Sequence, residues 1–183
     1  MSRIPTPAII ADAPTASQPL LQGVEKTLGS VPNLFRIVSN SPAALEGYLG
    51  LNGALGKGAL NAATRERIAL AIANTNGCDY CNSAHTFLAK TLAKLDDAEI
   101  AANRAGSSTD AKAHAAVAFA VKVATSRGRV SDTDVSAVKA AGYSDGEVVE
   151  IVAHVALNVL TNYVNEALGT EIDFPVFNAA RAA

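Results

Sequence analysis

The chain has 183 residues, long enough to bury a sizeable core as one domain or as one domain with an appended arm. A formal net charge of −2 at pH 7 provides no basic field of the kind nucleic-acid binding needs, and the N-terminus lacks the continuous apolar run of a secretory signal. Hydrophobic residues make up 49% of the chain but aromatic residues only 5%, with no Trp and much Ala, which favours close-packed helices over a β-rich core.

Residues 1–16 are rich in Pro and Ala without a period and are expected to form an extended N-terminal arm ahead of one helical domain over 17–183. A first helix is predicted from Gln18 to Leu28, stopped by Gly29. Ser41-Pro42 supplies a cap and a first-turn proline for a second, which runs into the glycines between 50 and 58. Those glycines form no phosphate loop, because no Gly-Lys-Ser/Thr ending follows. Thr64 is placed as the cap of a helix over 65–75. Tyr80 to Leu92 reads as the next, followed by helices near 97–105, 110–126, 132–141 and 146–168. Gly106, Gly128, Gly142 and Gly169 fall where helix ends favour glycine, and no alternating strand pattern interrupts the series. The predicted architecture is all-α. Its most apolar segment, Val148 to Leu160, is interrupted by Glu150, His154 and Asn158 and is short for a bilayer span. A soluble, cytoplasmic protein with neither a membrane nor a nucleic-acid partner is therefore expected.

Chemistry concentrates in the run Asn76-Gly77-Cys78-Asp79-Tyr80-Cys81-Asn82-Ser83-Ala84-His85, which holds both cysteines of the chain. On a helix, positions 78, 81 and 85 share one face, so the two sulfurs can meet with the imidazole beside the inner one. A helix N-terminus and a neighbouring histidine both favour the thiolate, the form in which a thiol attacks. A redox dithiol is the leading reading. Zinc is the next, because two thiolates and an imidazole make three of four tetrahedral ligands, but no fourth ligand is evident and no metal is expected. A structural disulfide, or two cysteines packed as small apolar residues, is also open, as is a chemistry in which the sulfurs are bystanders.

Glu66 stands out by its place relative to the pair. If the helix containing it folds back on the motif helix, Glu66 and His85 come level across the hairpin, and a carboxylate bonded to an imidazole raises its basicity. Spacing alone favours the plainer reading, a solvated first-turn carboxylate that complements the helix dipole.

The pattern Arg65-Glu66, Ala71, then Asn76-x-Cys78-x-Tyr80-Cys81-x-x-Ala84-His85 resembles the signature of the alkylhydroperoxidase D and carboxymuconolactone decarboxylase superfamily. The segments Val31 to Arg36, Asn162 to Asn165 and Thr170 to Pro175 resemble its peroxidase-related branch. The resemblance implies an all-helical fold, frequent homo-oligomers and a thiol peroxidase activity without metal, haem or other cofactor. It implies that Cys81 attacks the hydroperoxide substrate, that His85 is its base with Glu66 behind the histidine, and that Cys78 resolves the sulfenic acid. An external dithiol would then reduce the pair at the more exposed sulfur, taken to be Cys78. Some members carry a histidine between the two cysteines where Tyr80 stands, and an ordinary tyrosine does not shuttle protons at neutral pH. A lyase or isomerase acting on a carboxylated ring lactone, and a non-enzymatic helical assembly module, are the alternatives. The former does not rely on a Cys-x-x-Cys pair.

Three further features stand apart from the motif. His154, on a nearly all-apolar helix, and His114, among alanines, are expected to be hydrogen-bonded core histidines. Glu150, Asn162 and Asn165 repeat the spacing of Glu66, Cys78 and Cys81 at an offset of 84 residues, a faint sign of internal duplication.

Overall fold

Small side chains let helices approach closely, and this chain uses them to bury one helix on all sides. The computed structural model describes residues 1–179, in which nine α-helices and no strands occur: α1 (Gln18–Leu28), α2 (Asn33–Val38), α3 (Pro42–Leu55), α4 (Ala62–Thr75), α5 (Asp79–Thr91), α6 (Asp97–Arg104), α7 (Ala111–Thr125), α8 (Asp132–Ala140) and α9 (Asp145–Leu168). The central helix is α4, where every residue from Ile68 to Ala73 is buried, because α5, α6, α7 and α9 pack around it. Ile68 and Ile72 join Ala116, Phe119 and Ala120 of α7 and Ile151 and Val155 of α9 in the main core.

The predicted ends hold where glycine stops a helix: Gly29, Gly106, Gly128, Gly142 and Gly169 all adopt positive φ. Two points differ. α2 was not anticipated, because six residues after Val31-Pro32 are too few to show a period. The cap of α4 is Asn61 rather than Thr64: its side chain accepts the Thr64 N–H at 2.8 Å, so the helix starts earlier. By length and composition α9 is apolar enough to cross a bilayer, yet here it is a core helix packed against α3, α4, α5, α7 and α8.

The N-terminal arm carries two short 3-10 turns, Ile10–Asp12 and Thr15–Ser17, and docks on its own chain. Arg3 N–H donates to the Leu168 carbonyl at 2.7 Å, Asn40 Nδ2 to the Pro5 carbonyl at 2.7 Å, and the Arg36 guanidinium to the Pro7 and Ala8 carbonyls. At the other end, 170–179 leaves α9 as an irregular tail that crosses α5. Phe174 meets Tyr80 edge to face at 5.8 Å, and the Ala179 N–H donates to Asp79 Oδ1 at 2.7 Å.

Candidate active site

The site is built by the turn between α4 and α5. Gly77, at φ 68°, lets its N–H reach the Asn74 carbonyl at 3.1 Å and the Cys78 N–H reach the Ala73 carbonyl at 3.0 Å, which closes α4 and reverses the chain in three residues. Cys78 thereby becomes the N-cap of α5. Its sulfur accepts the Cys81 N–H at 3.2 Å, the task a serine or aspartate oxygen has in most helices. The second sulfur follows one turn on, with Sγ 2.6 Å from that of Cys78, and both thiols are free in this structure. The hairpin also brings α4 level with α5: Glu66 Oε2 lies 2.9 Å from His85 Nδ1. The four residues singled out in the sequence therefore form one constellation, and Glu66 is bound to the histidine instead of being left to solvent.

The electrostatics separate the two cysteines. Burial works against a thiolate at Cys81, but the Cys78 thiol donating to it, the charge of His85 and the amides of Asn165 and Asn162 together hold its pKa below the ordinary thiol value. Cys78 is pushed the other way, mainly by donating its proton to Cys81 and then by burial. For His85, burial opposes the charged form and the Glu66 carboxylate outweighs it, so the imidazole pKa is raised. A lowered thiol beside a raised histidine favours a thiolate–imidazolium pair. Because Nδ1 is held by Glu66, Nε2 is the ring nitrogen left to take the Cys81 proton.

Exposure corrects one expectation. Both cysteines are buried, Cys78 at 0% and Cys81 at 3% exposure, so the sulfur at the helix start is not the more exposed of the two. Only Cys81 opens on a cavity of about 500 Å³, with Glu66, His85, Tyr48, Tyr80, Phe174 and Asn165 also in its walls. Tyr80 is a structural bridge: its hydroxyl accepts the Leu34 N–H at 3.1 Å, and burial pushes its pKa up, so it holds its proton.

Three residues enter the site that motif reading did not assign to it. Asn165 Nδ2 donates to Cys81 Sγ at 3.2 Å. Asn162 accepts from Asn76 Nδ2 at 2.8 Å through its carbonyl oxygen, and its own Nδ2 is buried without a hydrogen-bond partner among the described residues, though near enough to Cys81 to favour the thiolate. Tyr48, from α3, faces Cys81 and Glu66 and has its pKa raised by burial and by their negative charge. Of the residues paired by the offset of 84, Cys81 and Asn165 are in contact, whereas Glu66 and Glu150 are engaged with other partners. His154 is 5% exposed, as expected, but it lines the cavity and its Nε2 has no hydrogen-bond partner among the described residues. His114 is corrected outright: it is exposed on α7 and pairs with Ser107 Oγ at 3.0 Å.

Residues 42–126, from α3 to the end of α7, match the carboxymuconolactone decarboxylase family. No match to the sequence is found among curated proteins. Among solved structures, the chain is similar to an alkylhydroperoxidase AhpD core, an uncharacterized peroxidase-related protein from Ralstonia eutropha JMP134, at 27% identity and TM-score 0.83, covering 94% of this chain and 92% of that one. A peroxidase-related protein from Silicibacter sp. TM1040 shares the fold at 22% identity and TM-score 0.80, over 93% and 91% of the two chains. So does a cysteine-to-alanine variant of the debrominase Bmp8, crystallised with 2,3,4-tribromopyrrole, at 24% identity and TM-score 0.76 over 94% of each.

Proposed function

We propose that this chain is a member of the alkylhydroperoxidase D-like and carboxymuconolactone decarboxylase superfamily and that within it the protein works as a thiol-dependent peroxidase. The observation that carries the reading is the placement of Cys81 in the cavity wall, with Cys78 Sγ 2.6 Å behind it, the Asn165 amide donating to its sulfur at 3.2 Å, and the Glu66–His85 pair one turn further along the helix. Attack of the Cys81 thiolate on the distal oxygen breaks the O–O bond and leaves an alkoxide, which takes a proton from the His85 imidazolium to give the alcohol. The resulting sulfenic acid condenses with the Cys78 thiol, forming the disulfide and water. An external dithiol restores both thiols and carries off the two electrons as its own disulfide. Because Cys78 is enclosed, that reductant enters through the cavity and attacks Cys81 Sγ, with Cys78 as the first thiol released.

The test is peroxide consumption coupled to a dithiol, with sulfenic-acid trapping. Cys81→Ser should abolish consumption, whereas Cys78→Ser should still allow one attack and leave a trappable sulfenic acid on Cys81. Attack retained in Cys81→Ser and lost in Cys78→Ser would reverse the roles, and no peroxide-dependent loss of either thiol in the wild type would end the reading.

The aromatic walls and the size of the cavity, far larger than hydrogen peroxide needs, favour a second use of the same thiolate. Attack of the Cys81 thiolate on the halogen of an electron-rich haloaromatic ring breaks the carbon–halogen bond, the ring carbon takes the proton of the His85 imidazolium, and the sulfenyl halide formed is resolved by the Cys78 thiol to the disulfide, releasing halide and a proton that returns to His85. Halide release from a brominated pyrrole, measured beside peroxide turnover, distinguishes the two.

A further inference from the structure

The cavity wall carries one cation, Arg65, that the peroxidase chemistry does not use. Arg65 lines the cavity from the first turn of α4, half-buried, and its one hydrogen bond is from Nη1 to the Leu60 carbonyl at 2.7 Å. No carboxylate of the described residues lies within ion-pair distance of it. Its sequence neighbour Glu66 is engaged with His85, and Glu150, the other carboxylate near this end, is engaged with the N–H groups of Ala59 and Leu60 at 2.9 and 3.0 Å. Across from it on α9 is His154, whose Nε2 is buried and unpartnered. A guanidinium with donors to spare, beside a neutral imidazole and facing an apolar chamber, is an arrangement that a carboxylate completes.

The remaining walls set the rest of the ligand. His154, Leu157, Asn158, Thr161 and Asn165 line the cavity from one face of α9, so the polar end at His154 and the end at Asn165, which contacts Cys81, are separated by about 16 Å of helix axis. Leu34, Phe35 and Leu88 add apolar lining, and Leu28, Phe87 and Leu92, which also line the cavity, are exposed. We infer that the cavity binds an anionic amphiphile, a carboxylate with an apolar body, whose carboxylate is held by Arg65 and His154 while its reactive group lies at Cys81. The inference names the substrate class of the site proposed above and rests on Cys81 as the reacting sulfur. The state of His154 is consistent with it: burial and then the Arg65 charge lower its pKa and outweigh the opposing charges of Glu150 and Glu66, so it adds hydrogen bonding rather than a second charge.

The probes are 4-phenylbutyrate and its uncharged amide, neither of which reacts with a thiol, titrated into the reduced wild-type protein by calorimetry. The carboxylate should bind about tenfold to a hundredfold more tightly than the amide, the usual gain for a charge-assisted bond, and should slow alkylation of Cys81. Arg65→Gln should remove that preference and Arg65→Lys should keep part of it. Equal affinity for the two probes in the wild type, no binding of either up to millimolar concentration, or a preference that survives Arg65→Gln overturns the inference. The wild-type comparison decides even if a variant fails to fold. A second arm compares turnover of a hydroperoxy fatty acid with that of its methyl ester. Preference for the carboxylate probe without peroxide turnover would defeat the peroxidase reading and leave the anion site standing, whereas turnover with no preference for charge would do the reverse.

Discussion

In the proposed relay Glu66 reaches Cys81 through His85, which it contacts at 2.9 Å, so the signature of its removal lies in the pH profile. The carboxylate raises the imidazole pKa, and the imidazolium in turn favours the thiolate. In Glu66→Gln both supports weaken, so the rising limb of thiolate attack against pH should move to higher pH and the rate at pH 7 should fall, on the order of 10² for a disabled proton relay. Iodoacetamide alkylation of Cys81 across pH measures this directly. An unchanged profile would return Glu66 to the part of a first-turn carboxylate. The pair Glu66–His85 was visible in the sequence as two residues that a hairpin would bring level, but spacing could not choose between contact and solvation. Contact required α4 and α5 to pack face to face, which the sequence does not state locally. Tyr48 left no signal at all, because nothing between Ser41 and Leu55 distinguishes an inward tyrosine on α3 from any other aromatic residue.

At the scale of elements, the hairpin depends on one residue in the left-handed region. Gly77 has open space where a Cβ would stand, so Gly77→Ala meets no clash and its cost is conformational, about 1 kcal/mol. Chemical denaturation should show that loss. Because the same turn sets the Cys78 cap, the variant should also form the Cys78–Cys81 disulfide more slowly after a peroxide pulse. Stability loss with an unaltered rate of disulfide closure would mean that α5 holds the cysteines without the turn. A different device ties α6 and α7 to the centre. Glu99 is buried and accepts from Arg67, Asn103, Ser108 and Thr109. Burial opposes its charge, but these hydrogen bonds win and its pKa is depressed. A depressed carboxylate contributes stability that is complete above the unfolded-state value of about 4.3 and is lost as pH falls through the folded value. Glu99→Gln should therefore destabilise by about 3 kcal/mol near neutral pH and by less in acid, as seen by comparing thermal unfolding with wild type at both. An equal deficit at both pH values would show that shape and not charge is what Glu99 supplies.

For the whole molecule, the Ala-rich composition has a consequence for association. Short side chains give limited core per residue, and α9 leaves Val149, Val152, Leu160 and Tyr163 exposed in the single chain. We propose that the chain is a homo-oligomer with a second copy covering this face. Light scattering at micromolar concentration should give a mass above the 18.7 kDa monomer, and Leu160→Glu should lower it. A monomeric wild type at that concentration would refute self-association. The N-terminal arm needs no neighbour for its order, since Pro5, Pro7 and Ala8 already bond the chain's own Asn40 and Arg36.

The sequence by itself determined the helical class, most helix limits and the grouping of the candidate site residues, because each of these is written locally. Glycines at 29, 106, 128, 142 and 169 end helices through their own backbone freedom, and the spacing of Cys78, Cys81 and His85 fixes a shared face whatever surrounds it. Tertiary structure alone decided what those residues meet. The enclosure of Cys78, the amides of Asn162 and Asn165 on Cys81, the opposition of Arg65 and His154 across one chamber and the exposure of His114 all follow from how α3, α4, α5 and α9 pack. A helix period records which side of a helix is apolar, but not which other helix that side will face.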